Sequence, residues 1–244
     1  MRTLFVADLH LDAARPAATA AFVDFLKGPA RDAERLYILG DLFEAWIGDD
    51  DLAEHPAKVQ RALRDYTAAG HPCFVMRGNR DFLIGPEFAA CTGVTLLPDP
   101  TLIEVCGSSL LITHGDALCT DDTAYQRFRR VARNPRVLRW FRRLPFAWRH
   151  RVVAGARSTS QKAVRSKPAR IMDVNQSAVE QLLRDYNMTT LLHGHTHRPA
   201  EHHFELDGHH ALRIVLGDWY EHGPVLRWDQ SGRQTDYLGF GSSR

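Results

Sequence analysis

The chain has 244 residues, of which 44% are hydrophobic and 25% are charged, and its formal net charge is +2. These values are ordinary for a globular protein, and the length allows one large α/β domain, alone or with an insertion. No apolar run approaches the roughly 18 residues that span a bilayer, and Asp8 and His10 interrupt the only candidate for a signal sequence. We therefore expect a cytoplasmic protein. Four well-separated cysteines without a C-x-x-C pair predict buried free thiols and argue against a disulfide framework in a reducing compartment.

The charge is unevenly distributed along the chain. Residues 124–172 contain 13 Arg, 2 Lys and no Asp or Glu, so this segment carries +15 and the rest carries −13. Aromatic residues lie between the arginines, at Phe128, Trp140, Phe141, Phe146 and Trp148. The segment could be an amphipathic helix with a solvated cationic face, a nucleic-acid-binding surface or a surface for an anionic membrane. Bulky aromatic residues at helical spacing favour contact with a membrane or with acyl chains. No nucleic acid partner is therefore expected.

Apolar runs and helical periodicity alternate over the first part of the chain. They predict strands over 3–7, 36–39 and 73–76, with helices over 16–27 and about 56–69 between them. Such alternation is typical of βαβ units and a parallel sheet. Short strands follow over 94–97, 102–106 and 109–113, and the Gly107 turn makes the last two a hairpin.

The second half of the chain begins with the basic segment, which is helical from about Thr120 to Lys167 and broken by Pro135 and Pro145. A further helix and four strands complete the prediction, over 173–186, 190–192, 203–206, 212–216 and 225–228. We therefore expect a two-layer core with helices outside, interrupted by an insertion. The predicted boundaries are 1–119 and 172–244 for the two parts of the core and 120–171 for the basic helical insertion.

Polar residues capable of binding metal follow the predicted strands. They are Asp8, His10, Asp41, Asn79, His114, His195 and His197. The carboxyl ends of strands are where open α/β sheets bind ligands, and oxygen and imidazole donors without thiolate suit Mn²⁺, Fe or Zn²⁺. Seven ligands are too many for one tetrahedral ion and fit two ions that share a carboxylate. Asp41 is the natural bridge, because Gly40 before it lets the backbone approach closely.

Each fragment alone has an ordinary structural explanation, and only their joint occurrence indicates a metal site. His-x-His after a strand is common on surfaces, and Gly-Asp or Gly-Asn is ordinary turn chemistry. Two ions about 3.5–4 Å apart stabilise an in-line displacement at phosphorus. The other dense histidines, His202, His203, His209 and His210, lie in alternating strands or a turn and are expected at the solvated surface.

Five motifs in order resemble the calcineurin-like metallophosphoesterases. They are Asp8-Leu9-His10, Gly40-Asp41, Gly78-Asn79-Arg80-Asp81, Thr113-His114-Gly115-Asp116 and Gly194-His195-Thr196-His197. The resemblance implies an α/β (α+β) fold with a β-sandwich core flanked by helices. It also implies one ion on Asp8, His10, Asp41 and His197, and a second on Asp41, Asn79, His114 and His195. The residues expected at the reacting phosphate, as catalytic residues, are Asp41, Asn79, Arg80 and His114.

Arg80 stands where many members of that family have a histidine that assists the leaving group. Arginine stays charged at any working pH and cannot donate a proton. An alkoxide leaving group would miss that donor, whereas a phosphate leaving group does not need it. Arg80 offers a planar fork to phosphate oxygens instead. The sequence therefore favours cleavage of a phosphoanhydride over a simple phosphodiester.

Further motifs resemble one branch of the family, the enzymes that hydrolyse UDP-2,3-diacylglucosamine in lipid A biosynthesis. They are Gly78 to Phe82, Asp121-Asp122, Ser160 through Lys167, Ile171 to Asn175 and Val215 to Trp219. This resemblance implies two Mn²⁺ ions and water attack on the α-phosphorus, which releases UMP and 2,3-diacylglucosamine 1-phosphate. It also implies peripheral association with the cytoplasmic face of the inner membrane, and a helical lid over the metals that receives the acyl chains.

The substrate contacts implied by that branch are Asn79, Arg80, Asp122, Ser160, Lys167 and His195. Position 164 departs from it, because Val164 stands where the branch has asparagine; Val164 stays a predicted binding position. Two alternatives remain open at this stage. One is a metallophosphoesterase that acts on nucleotides or nucleic acid. The other is a non-catalytic membrane- or DNA-binding module whose metals are structural and fully enclosed by ligands.

Overall fold

The computed structural model describes residues 2–51, 53–155 and 173–240. The described strands are β1 Arg2–Val6, β2 Arg35–Leu39, β3 Cys73–Met76, β4 Thr95–Leu97, β5 Thr101–Val105, β6 Ser108–Thr113, β7 Thr190–His193, β8 Ala200–Leu206, β9 His209–Val215, β10 His222–Asp229 and β11 Gly232–Gly239. The helices with described bounds are α1 Pro16–Lys27, α2 Glu54–Ala68, α3 Pro86–Thr92, α4 Thr123–Ala132, α5 Pro135–Arg142 and α6 Gln176–Asp185. Residues 146–155 are helical as well.

The strands form two sheets. The first has six strands in the order β11-β10-β1-β2-β3-β4, and its four strands from β1 to β4 are parallel. The second has five strands in the order β5-β6-β7-β9-β8, in which β6, β7 and β9 are parallel neighbours. The expected α/β fold, with a two-sheet core flanked by helices, is confirmed.

Strand β1 is apolar on both faces because both faces are buried. Phe5 points into the layer between the two sheets, where it joins a buried cluster with Ile112 and Leu192 of the second sheet. Leu4 and Val6 point to the other side, into the cluster that α1 and α2 cover. Successive side chains of a strand face opposite ways, so a strand buried on both sides reads as one continuous apolar run. A third apolar cluster lies between the second sheet and α6.

The strand registers bring the predicted ligands to one edge of the sandwich. In the first sheet Val6 pairs with Ile38, and Leu39 pairs with Met76. In the second sheet Thr113 pairs with His193. The residues that follow these strands are therefore neighbours, although they are distant in the sequence.

Some expectations from the sequence are wrong in detail. Helix α3 and strand β11 were not predicted. The predicted breaks at Pro135 and Pro145 are present, because α4 ends at Ala132, α5 ends at Arg142 and the next helix begins at residue 146. Pro135 is the first residue of α5, as its missing N–H allows. Cys91 and Cys106 are exposed, against the expectation of buried thiols. Cys91 lies on the exposed side of α3, and Cys106 lies in the turn between β5 and β6.

The described part of the basic insertion packs only one face against the core. Leu138 and Phe141 of α5 contact the buried cluster under the first sheet, whereas Trp140 is 63% exposed. The apolar side chains of α5 therefore divide between the core and the solvent. No helix of the described residues is long and apolar enough to cross a bilayer. The boundaries 1–119, 120–171 and 172–244 stay predictions.

Candidate metal centre

Asp8, His10 and His197 form the first of two clusters at the strand-end edge, with one ligand atom of each within 4.8 Å of the others. Asp8 Oδ1 lies 3.5 Å from His197 Nε2 and 4.0 Å from His10 Nε2. The two Nε2 atoms are 3.2 Å apart. One carboxylate oxygen and two imidazole nitrogens therefore point at a common centre.

Asp41, His114 and His195 form the second cluster, under the same 4.8 Å limit. Asn79 joins it, because its Oδ1 lies 3.0 Å from His114 Nε2. Asp41 faces both clusters: its Oδ2 lies 3.8 Å from His10 Nε2, and its Oδ1 lies 3.8 Å from His114 Nε2. Within the described chain these are the two groups of this kind. The structure thus brings together all seven residues that the sequence nominated as ligands.

Five of these ligand candidates have a left-handed backbone conformation, which is uncommon outside glycine. Their φ angles are 53° for Asp8, 48° for His10, 52° for Asp41, 69° for His195 and 56° for His197. Backbone hydrogen bonds hold the loops in place, from Asp8 N to the Gly40 carbonyl at 3.1 Å and from His10 N to the Asp41 carbonyl at 2.8 Å. Sharp turns directly after buried strands therefore aim these side chains back over the strand ends.

Two glycines let the loops approach one another. Gly40 has a φ of 91°, and a Cβ at this position would overlap with the His114 ring. A Cβ on Gly78 would overlap with the Asp41 carboxylate. The close approach expected at Gly40 is present, and Gly78 has the same role on the neighbouring loop.

Buried carboxylates dominate the electrostatics of the centre. Burial lowers the pKa of His114, but the carboxylates of Asp41, Asp8 and Asp116 outweigh it and raise that pKa to about 9. Burial raises the pKa of Asp8, but contact with His197 and the charges of the surrounding imidazoles bring it down to about 2. Burial also raises the pKa of Asp81 to about 6, with the charge of Asp41 acting in the same direction. The centre concentrates negative charge, which favours a bound cation.

The residues present fit divalent metal ions. Asp8 Oδ1 is buried and accepts no well-formed hydrogen bond from the described residues. A buried carboxylate oxygen without a donor is costly unless a cation satisfies it. The donor set of carboxylate, amide and imidazole, without thiolate, is one that Mn²⁺, Fe and Zn²⁺ accept. The two clusters therefore make a candidate dinuclear metal centre.

Arg80 lies at the edge of the second cluster. Its backbone N–H donates to Asp41 Oδ1 at 2.7 Å, which ties the loop of Asn79 and Arg80 to that carboxylate. Its side chain is half-buried, and its guanidinium makes no hydrogen bond or ion pair with any residue in the described ranges. The guanidinium is therefore available to an anion beside the metal candidates.

The other predicted substrate contacts lie in different parts of the chain, and their role stays a prediction. His195 lies in the second cluster. Asp122 accepts a hydrogen bond from Tyr125 N at 3.1 Å and so caps the start of α4, a structural role that the sequence analysis did not assign. Ser160, Val164 and Lys167 lie outside the described residues.

Asp116 ends the motif Thr113-His114-Gly115-Asp116, and no role for it was predicted from the sequence. Its fully buried Oδ2 accepts hydrogen bonds from the Tyr125 hydroxyl at 2.7 Å and from Arg129 and Arg133 at 2.8 Å each. These cations overcome its burial and hold its pKa well below the usual value. Arg133 also donates to the Gly78 carbonyl at 3.0 Å. Asp116 therefore fastens α4 to the loops of the second cluster, and its signal in the sequence was its place two residues after His114.

The four surface histidines lie away from the centre, as expected. His202, His203, His209 and His210 are exposed on β8 and β9. His203 Nδ1 and His210 Nε2 are 3.1 Å apart across the two strands. They belong to neither metal-candidate cluster.

The chain matches one protein-family model and is similar to several named proteins. The model of the calcineurin-like phosphoesterase family matches residues 1–199. A protein of Edwardsiella ictaluri named UDP-2,3-diacylglucosamine hydrolase is 50% identical over 234 residues, which is 95% of this chain and 90% of that protein. Proteins of the same name from Pseudomonas aeruginosa and Aromatoleum aromaticum are 48% and 49% identical and cover 96% and 95% of this chain, and 98% and 95% of their own length.

Proposed function

Because the chain belongs to the calcineurin-like phosphoesterase family, we propose that it hydrolyses the pyrophosphate bond of UDP-2,3-diacylglucosamine. The observation that carries this proposal is the pair of clusters that Asp41 faces with both carboxylate oxygens. The names of relatives about half identical over nearly the whole chain support the choice of substrate. The reaction is attack of water on the α-phosphorus, which yields UMP and 2,3-diacylglucosamine 1-phosphate.

Two divalent ions, when bound, activate water and neutralise charge that develops on the phosphoryl group. We assign Asp8, His10, Asp41 and His197 to one ion and Asp41, Asn79, His114 and His195 to the other. Mn²⁺ is the proposed metal, since the donors are carboxylate, amide and imidazole groups that suit it. The proposal places no thiolate among the ligands.

Arg80 is assigned to bind the pyrophosphate. Its guanidinium can donate two parallel hydrogen bonds to phosphate oxygens, and it stays charged throughout turnover. A departing sugar phosphate needs no proton from the enzyme, which agrees with an arginine at this position. The 2.7 Å hydrogen bond from Arg80 N to Asp41 Oδ1 supports a fixed distance between the arginine and the metal ligands.

The basic insertion is proposed as a lid that meets the acyl chains and the cytoplasmic face of the inner membrane. Its described part exposes large apolar side chains among arginines: Phe128, Val131, Trp140, Trp148 and Val152 are each more than half exposed. Arginine attracts anionic headgroups, and exposed Trp and Phe suit the bilayer interface. The contacts of α4 with Asp116 and the Gly78 carbonyl support a lid that begins beside the metal ligands.

A substrate panel tests this function. The full chain, loaded with Mn²⁺ in detergent, is offered UDP-2,3-diacylglucosamine, a bis-nucleoside polyphosphate and single-stranded DNA at equal concentration, and products are identified by mass spectrometry. We expect UMP and 2,3-diacylglucosamine 1-phosphate from the first, with kcat/KM at least about 100-fold lower in D41N, because Asp41 faces both clusters.

The panel also separates the proposal from its alternatives. Preferred cleavage of the polyphosphate or the DNA would show that the substrate is a nucleotide or nucleic acid and not the lipid-linked sugar nucleotide. Lack of cleavage of any substrate by Mn²⁺-loaded protein would favour a non-catalytic module with structural metals. The D207N variant, which alters an exposed carboxylate bound to Arg184, is the control and should retain full activity.

A further inference from the structure

The two histidines of the first cluster each have a carboxylate behind them. His10 Nδ1 lies 2.9 Å from Glu44 Oε2, and His197 Nδ1 lies 3.2 Å from Asp218 Oδ2. The opposite ring nitrogen of each, Nε2, faces Asp8 Oδ1. Each imidazole therefore has a carboxylate on its outer nitrogen and points its inner nitrogen at the centre of the cluster.

His114 of the second cluster is held differently. Its Nδ1 lies 2.9 Å from the Leu39 backbone carbonyl, while its Nε2 faces Asn79 Oδ1. A carbonyl can fix the orientation of the ring, but it carries no full charge. The carboxylates behind His10 and His197 make those imidazoles more basic, and hence stronger metal ligands, than a carbonyl does.

The backbone fixes both outer carboxylates relative to β1. Glu44 N donates to the Leu11 carbonyl at 3.1 Å, and Trp219 N, next to Asp218, donates to the Asp8 carbonyl at 3.1 Å. The loop that carries Asp8 and His10 is therefore bonded directly to both segments that carry the carboxylates.

An aromatic ring adds to this bracing. The Tyr220 ring stacks on His10, with centroids 5.3 Å apart, and packs at 5.7 Å from His197. The Arg15 guanidinium covers the same ring at 4.6 Å and donates to the Trp219 carbonyl at 3.2 Å. Both imidazoles of the first cluster are thus held by contacts on their faces as well as on their outer nitrogens.

We propose that Glu44 and Asp218 are positioning residues that make the cluster of Asp8, His10 and His197 the tighter of two unequal metal sites. The inference rests on the proposed function, in which the centre holds two divalent ions. Each carboxylate oxygen lies close to the outer nitrogen of its imidazole, at 2.9 Å for Glu44 and 3.2 Å for Asp218. A ring protonated at Nδ1 beside such a carboxylate leaves Nε2 unprotonated and directed at the metal position. The second cluster, with an amide and a carbonyl-backed imidazole, fills at higher metal concentration.

The test is a Mn²⁺ titration of the full chain after chelation, in which the electron paramagnetic resonance signal of free Mn²⁺ gives the bound fraction. Wild-type protein should bind two ions with distinct affinities. E44Q and D218N, which remove a charge but keep the shape, should each weaken the tighter site about 10- to 100-fold. The affinity of the weaker site should stay within about threefold of the wild-type value, because both carboxylates lie behind imidazoles of the first cluster.

H114A assigns the two affinities to the two clusters. It removes a ligand of the second cluster, so it should abolish the weaker site and leave the tighter one. Loss of the tighter site in H114A, or unchanged affinities in both E44Q and D218N, would overturn the inference. D207N is the matched control for loss of a surface carboxylate, and the melting temperature of each metal-free variant shows whether it is folded.

Failure of the inference and failure of the proposed function have different signatures. Two ions bound by the wild type, with no effect of E44Q or D218N, reject the role of the outer carboxylates and leave the hydrolase standing. No Mn²⁺ bound by the wild type rejects both. A change of metal affinity in a variant with an unchanged melting temperature is a result that a purely structural role would not produce.

Discussion

At the scale of single residues, the centre concentrates a backbone conformation that is uncommon outside glycine. A left-handed residue other than glycine costs on the order of 1–3 kcal/mol when its surroundings impose it. Asp8, His10, Asp41, His195 and His197 all have positive φ angles. Residues with such angles cluster at functional sites, where packing and hydrogen bonds hold them in place. The concentration of five at one edge of the sandwich is independent support for a functional centre there.

Gly78→Ala tests how closely the loops of the centre must approach. Gly78 has an ordinary φ angle, so only the overlap of the new Cβ with the Asp41 carboxylate matters. We expect Asp41 to move and kcat/KM to fall about 100-fold, as a displacement near 1 Å is enough to cause. Steady-state kinetics with saturating Mn²⁺ measures the loss.

Gly239→Ala is the matched control, because a Cβ there would meet nothing within 4 Å. It should leave the kinetics unchanged. Wild-type kcat/KM in Gly78→Ala would contradict the claim that the Asp41 carboxylate needs this close approach.

At the scale of elements, the bounds of strands and helices were predicted best from the sequence where the element is fully buried on one or both faces. Strand β1, buried on both faces, and helix α1, which begins at Pro16 and ends before Gly28, were found nearly to the residue. Strand β11 is exposed along most of its length and has a polar sequence, so it carries no hydrophobic pattern. Helix α3 has only seven residues, about two turns, which is too short for a helical period to be recognised.

The parts of the site that could be predicted are those that follow recognisable strands. The seven ligand candidates follow recognisable strands, so their convergence could be expected from topology alone. Glu44, Asp218 and Tyr220 lie in loops, and only the folded chain places them against His10 and His197. Contacts between residues so far apart in the chain cannot be predicted from the local sequence.

Arg149 anchors the helix of residues 146–155 to the core. It is 2% exposed, donates to the carbonyls of Ile47 at 2.8 Å and Leu144 at 3.1 Å, and pairs with Asp50. In Arg149→Met the two carbonyls lose their donors, at a cost of about 1–3 kcal/mol each when buried. We expect protease cleavage within residues 134–155 to become at least about 10-fold faster, through easier local opening.

Arg139→Met is the control, since Arg139 lies exposed on α5. Its cleavage rate should match the wild type. Equal rates in Arg149→Met and Arg139→Met would show that Arg149 does not hold the insertion.

At the scale of the whole molecule, the charges are segregated in a way that suits a lipid-linked pyrophosphate. The metal candidates lie among buried carboxylates, and the basic segment 124–172, which carries +15, begins beside them. In the proposed account the arginines and exposed aromatics of the insertion meet anionic lipid, while the centre takes the phosphates.

Replacement of both Trp140 and Trp148 by Ser tests the membrane contact. Each side chain is more than 60% exposed, and burial of one such side chain stabilises binding by about 1.5–3 kcal/mol. We expect co-sedimentation with phosphatidylglycerol-rich vesicles to weaken at least about 10-fold, and wild-type binding to decrease as salt rises.

Tyr237→Ser serves as the matched change of an exposed aromatic outside the insertion, since Tyr237 on β11 is 64% exposed. It should bind vesicles as the wild type does. Equal wild-type binding to neutral and anionic vesicles would contradict the electrostatic part of the account.

The most direct measurement of the central claim is hydrolysis of UDP-2,3-diacylglucosamine by the Mn²⁺-loaded chain in H₂¹⁸O, with both products weighed by mass spectrometry. Attack of water on the α-phosphorus predicts one ¹⁸O atom in UMP and none in 2,3-diacylglucosamine 1-phosphate. Label in the lipid product instead, or no release of UMP, would contradict the account.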